Sequence, residues 1–527
     1  MRPCSVAYVL LFAVGFNSLP TLSQEFDEQF DAWPADLKIA GKVIACPKVP
    51  SPAEIRELIG DNLTDMTIVA DQALQHELNS TTAELFPNAA GTEDSQAAEA
   101  GLEVVLLSKL KFSPELQSKL IAKRDSGGTV CVFGKVAKLT GKCFTLGGSQ
   151  PRLGRGMGLL PDVAIQFSAK QDTLSRRLHS IIVSQAPCVG LTLGPKSCVL
   201  LDGRKITVAG GNASFSLPGS SWHTTKTRLI VPQSSRAQDP YEWLLDLTQW
   251  RRQAMERDLP QFPPAVPPTP AVENGTLFIV GGGGLPENLM SEFVEAAGGS
   301  DAKLIYVPCA EQDEVSMRQS IVEMWKKMGV EDATFIHTKS RNTANEDPEF
   351  LHPLKEATGI WFGGGRQWNF ADSYYGTNAH RLMKEVLQRG GAVGGSSAGA
   401  SIQARYLARA TPIQNFKLMA DGYERGGLGF IGGVAIDQHF SQRGRQKDMT
   451  ELVDRYPQLL GIGIDEKTAI IVRKSVANVV GTGRVHFYDR NLPVLPNEDD
   501  FIALPAGSSY DLANRQIIEQ KELPASK

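Results

Sequence analysis

The sequence predicts an α/β protein in which a parallel sheet, covered by helices on both faces, is built twice in one chain. Three observations carry that prediction. Short apolar runs alternate with stretches of helical periodicity through both halves, the rhythm of parallel strands joined by crossover helices. Leu259–Val272 reads LPQFPPAVPPTPAV and splits the chain near its middle; so many prolines make an extended, semi-rigid spacer. Third, GMGLLPDVAI (from Gly156) faces GLGFIGGVAI (from Gly427), and GLTLGPKSCVLL (from Gly190) faces GIGIDEKTAIIV (from Gly461), both without gaps at an offset of 271. One register held across two blocks points to an internal duplication.

Bulk properties agree with two globular units. The chain has 527 residues, 42% of them hydrophobic and 21% charged, and one core rarely serves more than about 250–300 residues. Its formal charge of -4 gives no basic footprint for nucleic acid. Aromatic content is 7%, low for a stacking surface.

In chain order, Arg2, an apolar run over Ser5–Phe16 and the small-residue site Thr21-Leu22-Ser23 read as a secretory signal peptide over 1–23. That run is too short to span a bilayer, so a secreted or periplasmic protein without a membrane span is expected. Sequons stand at Asn62, Asn79, Asn212 and Asn274. Five cysteines of the first half (Cys46, Cys131, Cys143, Cys188, Cys198) and Cys309 of the second show no zinc spacing, and buried free thiols are expected. The first unit, 24–258, opens with a strand at Lys42–Ala45, a helix at Pro52–Ile59 and a strand at Leu102–Leu107. After the linker, 259–274, the second unit, 275–527, offers strands at Gly275–Val280, Lys303–Val307, Ala333–His337, Gly359–Phe362 and Gly391–Gly394. Helices are expected at Pro286–Ala297, Glu314–Met328 and Ala379–Gln388.

The chemistry collects in the second unit. Gly395-Ser396-Ser397-Ala398-Gly399 follows a short strand and precedes Ala400–Arg405, read as the start of a helix. That is the context of a nucleophile elbow, where a sharp turn needs small neighbours and the helix N-terminus favours developing negative charge. A serine needs a base, and His439 directly follows the Val434–Ile436 strand, the strand end at which α/β sites form. An acid must orient the imidazole; Glu466 is preferred, with Glu424 and Asp437 as competitors. Gly363-Gly364-Gly365-Arg366-Gln367 ends a strand, so amides near Gly364 and at Ala398 are expected to form an oxyanion hole, with Gln367 reaching substrate. Arg443 and Arg445, two apart in an extended segment, are expected to point to one side and clamp a substrate carboxylate. Gly281–Gly284 fails as a dinucleotide loop because Pro286 takes the last glycine's place. At the matching positions the first unit has Gly134 for Ser397, Ser168 for His439 and Pro195 for Glu466. The first copy therefore reads as degenerate and non-catalytic.

GGSSAGAS (Gly394–Ser401), FGGGRQ (Phe362–Gln367), GLGF…IDQHFSQRGR (Gly427–Arg445) and GIGIDEKTA (Gly461–Ala469) together resemble the cyanophycinase and aspartyl-dipeptidase family of serine peptidases. The resemblance covers about residues 275–490 and implies a class I glutamine-amidotransferase-like α/β fold. It also implies Ser397 as nucleophile and His439 as base, with Gln367, Asp437, Gln438, Arg443 and Arg445 lining the substrate pocket, and a peptide or polyaspartate-type substrate such as β-aspartyl–arginine polymer. No cofactor or metal is called for. This chain departs from the family where Gln446 follows Arg-Gly-Arg in place of a further Arg, in extra residues near Asp421–Arg425, and in being doubled and exported; the silent half is read as standing in for the second subunit of a family dimer. A non-catalytic binder on the same fold is the competing reading. An esterase of the α/β-hydrolase type is disfavoured by the order Ser, His, Glu.

Overall fold

The computed structural model describes residues 33–60, 65–87, 101–147, 152–168, 176–185, 187–218, 225–230, 245–311, 318–409, 412, 417–494 and 498–521. The expected leader and the Asn62 sequon lie outside them.

In the first half the strands are β1 (Lys42–Cys46), β2 (Met66–Asp71), β3 (Glu103–Leu107), β4 (Thr129–Phe133), β5 (Cys143–Thr145), β6 (Leu153–Arg155), β7 (Val163–Phe167), β8 (Val189–Leu193), β9 (Cys198–Asp202), β10 (Lys205–Ala209), β11 (Ala213–Pro218), β12 (Thr225–Ile230) and β13 (Leu245–Asp246). In the second they are β14 (Val272–Val280), β15 (Lys303–Val307), β16 (Asp332–Phe335), β17 (Gly359–Phe362), β18 (Ala392–Ser396), β19 (Ala404–Tyr406), β20 (Ile431–Gln438), β21 (Leu460–Ile464), β22 (Thr468–Lys474), β23 (Val476–Gly481), β24 (Arg484–Tyr488), β25 (Ile502–Pro505), β26 (Ser509–Asp511) and β27 (Gln516–Glu519).

Each half holds two sheets, not the single parallel sheet expected. The orders are β13-β10-β9-β1-β4-β2-β3 and β12-β11-β8-β7-β5-β6 in the first half, and β16-β15-β17-β18-β14-β22-β23-β26-β27 and β19-β20-β21-β24-β25 in the second. The sheets are mixed. Strands joined through helices pair in parallel (β14 with β18, β15 with β17), whereas β22 and β23, with Ser475 alone between them, pair antiparallel. A parallel return needs a crossover of a dozen residues or more, which such a turn cannot supply.

Several strand pairings recur in both halves. β7 pairs β8 with Val163 opposite Val189, and β20 pairs β21 with Val434 opposite Leu460. β1 pairs β9 with Val43 opposite Leu201, and β14 pairs β22 with Leu277 opposite Val472. One difference stands out among the described residues: β2 lies directly beside β4, whereas β17 separates β15 from β18. In both halves the two sheets share a core. Val43, Val130, Val163 and Leu191 meet in the first; Leu277, Ile360, Val393, Ile436 and Ile462 meet in the second.

The described cysteines of the first half are not all free: Cys46 and Cys198 form a disulfide. They sit next to the paired residues Ala45 and Val199, so the bond crosses neighbouring strands. Cys131, Cys143, Cys188 and Cys309 are buried free thiols.

The linker is a bound strap, which revises the spacer expectation. Phe262 stacks on Tyr406 at 6.0 Å, with the guanidiniums of Arg405 and Arg425 over its ring. Gln458 donates its side-chain amide to the Pro264 carbonyl at 3.3 Å. Gly432 and Gly433 leave room for the prolines: a Cβ at Gly433 would stand 2.3 Å from the Pro268 carbonyl oxygen. Proline-rich backbone has free carbonyls and rigid apolar rings, and both are used against the second half.

The halves also meet through a buried charge cluster. Asp372, on the helix Gln367–Tyr374, accepts from Arg252 at 2.6 Å and from Arg204 at 2.7 Å, both first-half residues, and from the Tyr423 hydroxyl at 3.1 Å. Arg252 lies 3.6 Å above the Trp33 ring and donates to the Pro34 carbonyl at 3.0 Å. Trp33 itself packs in the core of the second half, edge-on to Tyr375. The arginines outweigh the burial that would raise the Asp372 carboxyl and hold it below its ordinary value.

Candidate active site

The centre of the site is the turn after β18. Ser397 sits at φ 58°, ψ -114°, a backbone conformation a side-chain-bearing residue seldom adopts. The turn closes because its neighbours lack side chains: a Cβ at Gly395 would stand 2.3 Å from the Gly399 carbonyl oxygen, and one at Gly399 2.2 Å from that of Phe362. Behind it runs a single helical turn, Ala398–Ser401, before the chain enters β19. The expected helix over Ala400–Arg405 is thus cut short, because Ala404–Tyr406 is claimed by pairing with β20.

His439 follows the last residue of β20 and also has positive φ, 50°. Its amide donates to the Gly281 carbonyl at 2.7 Å, tying it to the loop after β14. Its ring bridges two side chains. Nδ1 is 2.6 Å from Glu466 Oε1, and Nε2 is 3.0 Å from Ser397 Oγ. A carboxylate only accepts, so Nδ1 carries the proton and donates it to Glu466, leaving the Nε2 lone pair to accept from the serine hydroxyl. Burial holds the imidazole below its ordinary range; the Glu466 hydrogen bond opposes that shift, and Arg443 and Arg445 reinforce it.

The loop 281–284 is not a nucleotide cradle; it shapes this site. A Cβ at Gly282 would stand 2.4 Å from the His439 ring, and one at Gly283 2.5 Å from the Glu466 carboxylate. Both glycines also have positive φ, 98° and 66°. The sequence signal was present, a glycine run at the end of a strand, but the side chains that press on it lie far along the chain.

Gly364 borders the serine: a Cβ there would be 3.6 Å from the Ser397 Cβ. Ala398 is buried at the start of the helical turn. Gln367, also buried, donates its amide to the Ala408 carbonyl at 3.3 Å and to that of Arg409, so it is engaged with backbone.

The other two acids are placed elsewhere. Asp437 is fully buried and accepts from Arg409 at 2.9 Å and Arg445 at 2.8 Å. Glu424 accepts from the Tyr406 hydroxyl at 3.0 Å; burial, Glu256 and Asp421 push its carboxyl up to about 7. The expectation that Arg443 and Arg445 share one side is corrected. Ser441–Arg443 is a 3₁₀ turn, and Gly444 at φ 61° reverses the chain, so Arg445 turns inward onto Asp437 and the Gln438 carbonyl while Arg443 stays exposed. The period-2 argument holds for extended backbone, and this segment is not extended. Gln438 is 4% exposed, beside these groups.

A profile of Peptidase family S51 matches residues 277–480, the stretch that contains all of these groups. Residues 277–480 belong to this family. They form a serine-type peptidase domain. The curated cyanophycinase of Geminocystis herdmanii is 27% identical over 210 residues, which are 38% of this chain and 75% of that protein. That of Trichormus variabilis is 27% identical over 232 residues, 42% of this chain and 76% of that protein. That of Synechococcus elongatus is matched over 63% of its length. Among solved structures, a peptidase from an acI-B1 Actinobacterium aligns with 25% identity over 45% of this chain and 97% of its own, with a TM-score of 0.35. The S51 domain of this chain has no candidate metal cluster among its described residues, and among the same residues no helix is long and apolar enough to cross a membrane.

Proposed function

We propose that the chain is an exported serine peptidase that hydrolyses aspartyl peptide bonds, of the β-aspartyl–arginine kind, with Ser397 as nucleophile. The observation that carries this reading is the unbroken hydrogen-bond path from Ser397 Oγ through His439 to Glu466, at 3.0 and 2.6 Å. Ser397 Oγ attacks the scissile carbonyl as its proton passes to Nε2. Glu466 stabilises the imidazolium and keeps the ring oriented. The oxyanion is held by the amides near Gly364 and at Ala398. Collapse expels the amine, which takes the proton from Nε2, and a water then frees the acyl group by the same route. A base held below the ordinary imidazole range is neutral, and so competent, well into mild acid.

Substrate class rests on the cyanophycinase relatives and on an exposed cation beside the base, Arg443, which suits a carboxylate. Export rests on the N-terminal sequence and on the Cys46–Cys198 disulfide, a bond that persists in oxidising compartments. The matched strand registers support an internal duplication whose first copy is silent and serves as an in-chain partner, with Arg204 and Arg252 reaching into the catalytic half.

The test is incubation of the full chain with β-Asp-Arg polymer and with isoaspartyl and α-aspartyl dipeptides. Ser397→Ala should remove turnover by about 10⁴-fold or more and abolish labelling by a fluorophosphonate. Turnover that survives in Ser397→Ala would sink the proposal.

A further inference from the structure

Behind the Ser397–His439–Glu466 path lies a second set of hydrogen bonds that the mechanism above does not use. Asp465 Oδ1 accepts from the Ser441 amide at 3.0 Å and lies 3.3 Å from His486 Nε2. The same His486 nitrogen is 3.1 Å from Ser441 Oγ, and Asp465 Oδ2 accepts from the Arg484 amide at 3.1 Å. Asp465 and His486 are 6% and 5% exposed. We propose that Asp465 and His486 are positioning residues, a relay that locks Ser441 and so holds the strained turn carrying His439 against Glu466. This rests on the serine-peptidase reading.

Three arguments meet here. The first is mechanical. His439 has positive φ, and a 3₁₀ turn and a left-handed glycine follow it. Such backbone persists only where the surroundings over-determine it. The supports are the Gly281 carbonyl on the His439 amide, the Ile464 carbonyl on that of Phe440, and Asp465 on that of Ser441. Of these, Asp465 alone is a side chain, and it is the chain neighbour of Glu466. Asp465 thus joins the turn of the base to the strand end of the acid, as does Gln442, whose Oε1 accepts from the Glu466 amide at 2.9 Å.

The second argument is energetic. A buried carboxylate and a buried imidazole are costly unless they are paired. Burial would raise the Asp465 carboxyl, but the hydrogen bonds from His486 and Ser441 outweigh it and bring it down to about 2. His486 Nδ1 is buried with no partner. An apolar ring would avoid that penalty, so the imidazole is worth having for its Nε2 contacts.

The third is an internal subtraction. By strand pairing, Leu193 of β8 corresponds to Ile464 of β21, and Ala213 of β11, opposite Leu193, corresponds to Val485 of β24, opposite Ile464. The next residues along are therefore Gly194 for Asp465 and Ser214 for His486. The half without a serine, histidine and acid at the triad positions also lacks the relay, although the strands that would bear it are kept.

The experiment measures how fast a fluorophosphonate labels Ser397 in the full chain, as a function of pH, so no natural substrate is needed. His486→Phe and Asp465→Asn should label about 10–100-fold more slowly, the loss usual when an outer partner of a functional histidine is removed. His486→Gln, which keeps a donor, should retain most of the rate. The charged groups facing His439 are Glu466, Arg443 and Arg445, all unaltered in these variants. A looser bond to Glu466 removes an influence that raises the imidazole, so the acid limb of labelling should move to lower pH. A purely structural role would lower melting temperature without moving that limb. The proposal is overturned if His486→Phe labels at the wild-type rate, or if its loss equals its unfolded fraction by circular dichroism; should it not fold, Asp465→Asn carries the same two outcomes. A wild-type chain that fails to label at Ser397 would instead overturn the serine-peptidase reading itself.

Discussion

The two halves of this chain share several strand pairings and differ at the strand ends. At the end of β4 the chain enters Gly134, whose φ of 81° matches the positive φ of Ser397 after β18. The turn survives and the hydroxyl does not. Into the space a Cβ at Gly134 would fill reaches Leu74, 2.6 Å away, so the first half has an apolar side chain where the second has the Ser397 hydroxyl. At the end of β1 stands Cys46, bonded to Cys198; the corresponding pair in the second half is Val280 opposite Ala469, directly before the glycine loop under His439. The first half has a covalent cross-link at that rim and the second has a loop bare of side chains. Both halves keep an apolar core between their sheets whichever strand ends they carry. Function on such a frame is set by a few residues at the rim.

The comparison is sharpened most by making the second half resemble the first. His439→Ser installs the residue that the first half carries at Ser168, and should cut turnover by about 10⁴-fold or more with the fold intact, read by steady-state kinetics beside circular dichroism. A variant that retained activity would mean the two copies do not differ in the way that matters. The next effect concerns how the halves lean on each other. Arg252→Met leaves Asp372 buried with one cation fewer, and loss of one partner from a buried pair costs about 3–5 kcal/mol. Denaturant unfolding should show that loss in the transition of the S51 domain, although Arg252 belongs to the other half. Because the arginines depress Asp372, their contribution is present above the ordinary aspartate value of 3.8 and fades as pH falls through the folded value; Arg252→Met should therefore lose its deficit in acid. Smaller again is the effect of Cys46→Val with Cys198→Ala, which copies the pair of the second half. Removing the cross-link should cost about 2–4 kcal/mol in the first-half transition and leave peptidase turnover unchanged.

Much of the frame was legible in the sequence, and the reasons for the rest are physical. The strands Lys303–Val307 and Gly359–Phe362 have the bounds their apolar runs suggest, because a buried strand is written in contiguous residues. Ser397 stands out on its glycine-flanked turn and His439 at a strand end opposite it in role, whereas sequence alone leaves Glu466 in competition with Glu424 and Asp437. What the sequence could not reveal was contact across the fold. Gly281–Gly284 reads as a failed nucleotide loop along the chain, and only the fold brings His439 and Glu466 against it. Asp465 lies hidden beside Glu466, and His486 reads as an unremarked residue of β24. Trp33 and Arg252 belong to the first half by position yet work in the second. The error over Arg443 and Arg445 was local: Gly444 reverses the chain between two residues that an extended reading places together.

That reversal sets up the smallest effect. Arg445 is spent on Asp437, so the clamp expected of two guanidiniums reduces to one exposed residue, Arg443. Arg443→Ala therefore separates two roles that a buried arginine would confound. If Arg443 receives a substrate carboxylate, KM for an aspartyl dipeptide should rise several-fold while kcat holds, since an exposed ion pair contributes about 1 kcal/mol or less. Independently, Arg443 is one of the groups that lower the His439 imidazole. Its removal should raise that imidazole and move the acid limb of kcat/KM toward neutral pH, by a fraction of a unit and less at high salt. The first half carries Ser168 in place of the base, so the shift belongs to the second half alone. A limb that moved the other way would mean that Arg443 supports the charged imidazole through a contact other than simple repulsion. An unchanged KM would shift recognition of the substrate's carboxylate to backbone amides at the glycine loops.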